Sequence, residues 1–155
     1  MPDKIIEDPS LEDIASPVLA DFFSLWQAIQ GEHHRPRLKD FSLTDFAAHL
    51  PHMALNDYDR KTGRFHVRLF GSSYVDGIGG DLTGAFVDEV PNTEVLLKRY
   101  RRLVESKQAY LSLDNDLSWS PNDFQKYSVL ACPLFDADEN VATLMFRIEF
   151  IRLAS

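Results

Sequence analysis

A single cysteine, Cys132, stands among the 155 residues, so the chain can form no internal disulfide and no multi-thiolate metal site. Its setting, Val129-Leu130-Ala131-Cys132-Pro133-Leu134, is that of a small buried apolar residue. Long hydrophobic runs are missing too; every apolar stretch is too short to span a bilayer. The opening Met1-Pro2-Asp3-Lys4 lacks the charged-then-apolar pattern of a secretory signal, and a reduced, cytoplasmic setting is expected. Positive charge is scarce: 16 Lys and Arg face 24 Asp and Glu, for a formal net charge of -8. Nucleic acid and anionic membrane both require a positive field, so neither is an expected partner.

What is present is ordinary globular material, 45% hydrophobic and 26% charged. A chain of this length forms one core burying roughly two thirds of its unfolded surface. Residues 1–15 mix acids, prolines and isolated apolar residues and read as a loosely held arm; residues 16–155 read as a single domain.

Ser16-Pro17 is an N-cap followed by proline in the first helical turn. The helix is expected to occupy about 16–31, with Gly31 as its left-handed stop. Its apolar positions, Val18, Leu19, Phe22, Phe23, Leu25, Trp26 and Ile29, make a stripe wider than one sheet face needs. Two readings follow: a helix clamped to its own domain, or one shared with a second copy through Leu19, Phe22, Phe23 and Trp26. On the second reading the chain is a homodimer, and Trp26→Glu yields a folded monomer.

Leu43, Phe46 and Leu50 follow at helical spacing, with Asp40 or Ser42 as cap. Residues 33–52 hold four of the five histidines. His49 and His52 are three apart, yet Pro51 interrupts a continuous helix and no His-Glu-x-x-His pattern accompanies them. Solvated or capping histidines are expected here rather than metal ligands.

Met53–Asp59 and Arg64–Phe70 read as strands joined by a hairpin loop ending at Gly63. In the second, Phe65, Val67 and Leu69 share one face and His66, Arg68 and Phe70 the other. A glycine-rich crossover follows, with a turn of helix near Ser73 to Asp76. Gly77-Ile78-Gly79-Gly80-Asp81 invites a phosphate-loop reading, but no Gly-Lys-Ser/Thr closes it and no helix starts after it. Turn glycines, with Asp81 as a turn acid, are expected instead.

A helix over 92–107, capped by Asn92 or Thr93, carries an apolar stripe of Val95, Leu96, Tyr100, Leu103 and Val104. Lys98, Arg99, Arg101 and Arg102 form a basic stripe beside it, either a solvated face or a docking site for an anionic ligand or an acidic partner. Strands over 109–114, 124–135 and 141–153 complete the order, with Trp119 the one bulky residue in the polar loop between the first two. The expected architecture is α+β: a five-stranded antiparallel sheet, crossover helices on one face and an N-terminal helix.

This order resembles the PAS superfamily, and more closely a compact bacterial family of mostly stand-alone PAS-like domains, formerly of unknown function. The residues carrying the resemblance are Trp26, Pro36-Arg37, Leu50-Pro51, Arg68-Leu69-Phe70-Gly71-Ser72, Gly80-Asp81-Leu82-Thr83-Gly84, Tyr100, Tyr127 and Cys132-Pro133-Leu134. Phe70 departs from the pattern, which has a smaller aliphatic residue there. The resemblance implies a sensory or protein-interaction module with output in trans, docking on a signalling protein of the kinase or cyclase class. It also implies a small-molecule pocket between crossover, long helix and sheet, for which Tyr74, Phe86, Leu96, Tyr100, Leu130 and Phe146 are the expected lining. The axial histidine of haem-binding members has no counterpart on 92–107, and the reactive cysteine of flavin photoreceptors none on the crossover. Haem and covalent flavin are therefore not expected, and the ligand stays open.

The alternative is a cone-shaped α+β enzyme similar to ketosteroid isomerase. It would need an acid–base pair in the pocket, drawn from Asp81, Asp88 or His66. Strand order separates the two architectures: in the PAS arrangement the hairpin lies beside the last strand.

Overall fold

The computed structural model describes residues 4–116 and 125–152; Trp119, Phe124, Leu153 and the side chain of Leu43 lie outside that description. In chain order the elements are β1 (Lys4–Glu7), α1 (Pro17–His33), β2 (Met53–Asp59), β3 (Arg64–Phe70), α2 (Ser72–Ile78), α3 (Glu94–Ser106), β4 (Tyr110–Asp116), β5 (Gln125–Phe135) and β6 (Val141–Arg152). Short 3-10 turns fill Leu38–Asp40, Leu43–Phe46 and Leu50–His52 between α1 and β2, and Val87–Glu89 before α3. Among the described residues the strands form one sheet of 6, ordered β1-β4-β5-β6-β2-β3, with every pairing antiparallel. The β2–β3 hairpin thus lies beside the last strand, and the fold is α+β with PAS-like strand order.

The sixth strand corrects the expectation of five. Residues 4–7 pair with Leu113 to Tyr110 of β4, where a loose arm was expected. Alternation explains it: Ile6 packs into the core on the α1 side, while Ile5 and Glu7 face α3.

Helix α1 begins as its sequence demands, with Ser16 Oγ accepting from Leu19 N and Pro17 in the first turn. It runs past Gly31 to His33, and His34 takes the positive φ instead. Leu19, Phe22, Phe23 and Trp26 are buried against the sheet, among Leu55, Leu111, Leu130, Cys132 and Met145. The stripe does have a second partner, but it belongs to the same chain. Phe22 meets the Phe46 ring edge-on at 5.7 Å and the His49 ring at 5.6 Å, both from the segment between α1 and β2. The four residues assigned to a dimer interface are therefore internal, each burial contributing roughly 1.5–3 kcal/mol.

The opposite face of the sheet carries the second core cluster, under α2 and α3. A bulge decides which side chains enter it. Leu55 pairs with Leu69 but Asn56 pairs with Val67, leaving Arg68 as the extra residue of β3. Side-chain parity inverts beyond it, so Leu69 turns to the α1 side and Phe70 joins Phe65 and Val67 under the crossover. The expected grouping of Phe70 with His66 and Arg68 fails for this reason.

Gly71 closes the strand. Its N–H donates to Met53 O at 2.8 Å, and a Cβ there would collide with the carbonyl oxygens of Leu50 and Pro51. Close approach, not an unusual φ, demands glycine.

Helix α3 is shorter than expected, and Thr93 does not cap it with its side chain. The Thr93 hydroxyl instead shares its one proton between Val87 O and Val90 O, both at 2.9 Å, which ties the helix to the preceding turn. Lys107 ends α3 in the left-handed conformation, its N–H on Leu103 O.

Candidate functional site

The interior pocket lies where expected, between sheet, crossover and α3, but it is almost full. Its volume is about 40 Å³, with Tyr74, Leu96, Tyr100 and Phe146 lining it beside Phe70, Leu82 and Val87. That space suits a water or two; ligand sites usually offer roughly 300 Å³ or more. Aromatic rings fill the rest. Phe70 lies 4.5 Å from Tyr74, Tyr100 lies 5.0 Å from Phe146, and Phe65 lies 5.5 Å from Tyr100, centroid to centroid. Burial pushes the phenols of Tyr74, Tyr100 and Tyr110 above their ordinary range, so they stay neutral donors.

Two expected lining residues are elsewhere. Leu130 faces α1, because strand alternation sends Val129 and Ala131 to the pocket side and Leu130 to the other. Phe86 lies on the outside, paired with His66 at the sheet edge, ring centroids 5.1 Å apart, with the Arg64 guanidinium 3.7 Å above its ring. Val87 takes the inward position.

The acid–base candidates of the enzyme alternative also stand outside this pocket. Asp88 receives Arg64 Nε and Nη2, each at 3.1 Å, and that guanidinium holds its carboxyl below the usual range. Asp81 accepts from Thr83 Oγ1 and Thr83 N, which lowers it likewise. The Arg64–Asp88 bonds pin the crossover to β3, and the Asp81–Thr83 bonds close a turn within the crossover itself. Cys132 is fully buried, and desolvation pushes its thiol up, away from the nucleophilic thiolate.

Of the histidine pair, His49 is buried with both ring nitrogens engaged, Nε2 to Asp21 Oδ2 at 2.7 Å and Nδ1 to Arg147 Nε at 3.0 Å. Among the described residues no group of three or more His, Cys, Asp or Glu side chains is placed to hold a metal ion. Nor is any helix among them long and apolar enough to cross a membrane.

A second and far roomier cleft, about 370 Å³, opens on the surface between α3, β1 and the start of β4. Leu103, Ala109 and Tyr110 form its floor, and Ile5 and Val95 its apolar walls. Lys98, Arg99 and Arg102 line it as well, so three of the four residues of the basic stripe gather here. Arg101 is not among its lining residues; its charge acts on Asp88 instead. Glu7 contributes a carboxylate, receiving Arg102 Nε at 2.8 Å, and this bond keeps Glu7 below the ordinary carboxylate range. The sequence signalled the cations, but nothing in it announced that β1 would supply the opposite wall.

No protein-family model matches the chain, and no curated protein matches it. Among solved structures it is similar to a sensory box sensor histidine kinase from Vibrio cholerae, at 12% sequence identity over 72% of this chain and 90% of that one, with a TM-score of 0.49. The PAS-like strand order stands independently of that likeness.

Proposed function

We propose that this chain is a bacterial, cytoplasmic PAS-like signalling module that acts by docking a partner protein, of the kinase or cyclase class. The strand order supports the module, and the nearly filled interior supports docking over an enclosed ligand. With only about 40 Å³ left behind Tyr74, Tyr100 and Phe146, a small-molecule signal held inside the sheet would require the aromatic cluster to open. A protein surface needs no such opening.

Native mass spectrometry with an absorption spectrum, on protein from its own cells, tests the reading. The expected result is an interior without ligand: no visible band, and no bound mass that depends on Tyr74 or Phe70. A partner trapped by photo-cross-linking in the same cells should prove to be a kinase or cyclase. A chromophore, or a ligand lost on Tyr74→Ala, would replace docking with sensing through the interior.

A further inference from the structure

We propose that the cleft between α3 and β1 is a binding site for a free amphipathic anion, a carboxylate or phosphate carrying an aliphatic tail. This goes beyond partner docking and does not depend on it. Two features set the chemistry. The first is charge: Lys98 and Arg102 line the cleft with the partly engaged Arg99, and Glu7 is the one carboxylate among its described lining residues, so Lys98 adds positive charge beyond the Arg102–Glu7 pair in a chain whose formal net charge is -8. The second is exposed apolar surface. Ile5 is 43% exposed and Val95 56%, and they are two of only four large hydrophobic residues so exposed among the described residues. Both stand in this one cleft, above a floor of Leu103, Ala109 and Tyr110.

An exposed aliphatic pair beside cationic side chains suits a ligand with an apolar tail and an anionic head. A purely polar anion would leave Ile5 and Val95 in water, and a neutral apolar molecule would make no use of Lys98. The volume, about 370 Å³, falls within the range of small-molecule sites, roughly 300–1,000 Å³, and at its lower end. Arg99 is 8% exposed, so its guanidinium is held at a defined place rather than swept through solvent on a mobile stem. Glu7 competes for the head group through its bond to Arg102, which sets the direction of one variant below.

The probe is sodium decanoate, kept below its aggregation threshold and titrated into the labelled protein by amide NMR. Saturable shifts should centre on Ile5, Val95, Lys98 and Tyr110. Val95→Glu and Lys98→Glu, both at exposed positions, should each weaken binding at least about tenfold, the equivalent of about 1.4 kcal/mol. Glu7→Gln should tighten it. Decylphosphate should bind as decanoate does, while butyrate and decyltrimethylammonium should bind far more weakly. The proposal is overturned by equal affinity for decyltrimethylammonium, by shifts centred on Tyr74 and Phe70, or by no saturable shift. Binding confined to anionic phospholipid vesicles, or to an acidic peptide, would also overturn it. Cross-linking to a kinase or cyclase is read separately, so either reading can fail alone.

Discussion

Arg147 donates from Nε to His49 Nδ1 across 3.0 Å, and through that one imidazole the last strand is joined to the first helix. An Nδ1 that accepts must be unprotonated, so the ring proton sits on Nε2 and is donated to Asp21 at 2.7 Å. Both His49 and Arg147 are buried, whereas Asp21 is largely exposed. His49→Leu leaves the Arg147 Nε–H buried without its acceptor and should cost roughly 1–3 kcal/mol. Asp21→Asn, at the wet end of the chain of bonds, should cost about 1 kcal/mol or less. Urea unfolding of the two variants checks the order.

His52 makes stability depend on pH. Burial, with Arg147 and His49 close by, holds its pKa below the ordinary 6.5. The folded state therefore binds fewer protons than the unfolded chain as pH falls through that value. Its contribution is complete above 6.5 and is lost as pH falls toward the lowered folded pKa. Thermal unfolding at about pH 7.5 and about pH 5.5 should show the loss, and His52→Gln should shrink it. An unchanged pH slope in that variant would assign the acid sensitivity to other groups.

Phe70 fills the space that a smaller aliphatic residue would leave open. Phe70→Ala should enlarge the cavity of about 40 Å³ and destabilise the domain by roughly 2–3 kcal/mol, less than for a fully buried ring. The enlarged cavity should then admit a small apolar probe such as xenon or benzene, visible in a crystal, while the parent protein takes none.

Trp26→Glu should unfold the protein, not separate a dimer. The indole is buried against the sheet, and its Nε1 donates to Pro133 O at 3.4 Å, so a carboxylate there is a buried charge. Val18→Glu, at an exposed position of the same helix, should stay folded. Sedimentation of that variant reports any self-association through the outer face of α1.

The sequence made the hairpin, the cap at Ser16 and the partition of Tyr74, Leu96, Tyr100 and Phe146 to the pocket readable, because local signals decide each of them: strand alternation and a turn, a Ser-Pro pair, and helix or strand periodicity. Leu130 and Phe70 were misread for related reasons. A strand alternates strictly, so a guess about which face is inward errs by the whole side chain, and a bulge at Arg68 reverses the count without any residue that announces it. The width of the α1 stripe was legible, but its second partner was not. That partner, Phe46, is brought there by tertiary packing. The cleft was hidden for the same reason: Ile5 and Val95 are ninety positions apart in the chain and share a wall only once β1 has paired.

That pairing has a kinetic side. β2 with β3, and β5 with β6, are neighbours along the chain and close short loops, whereas β1 and β4 join residues more than a hundred positions apart. Closing the longest loop costs the most chain entropy, for a strand of only four residues. β1 should therefore dock last during folding and open first under native conditions. Amide exchange at Ile5 and Ile6 then follows a sub-global opening, and the wall of the cleft comes and goes while the rest of the sheet stays intact.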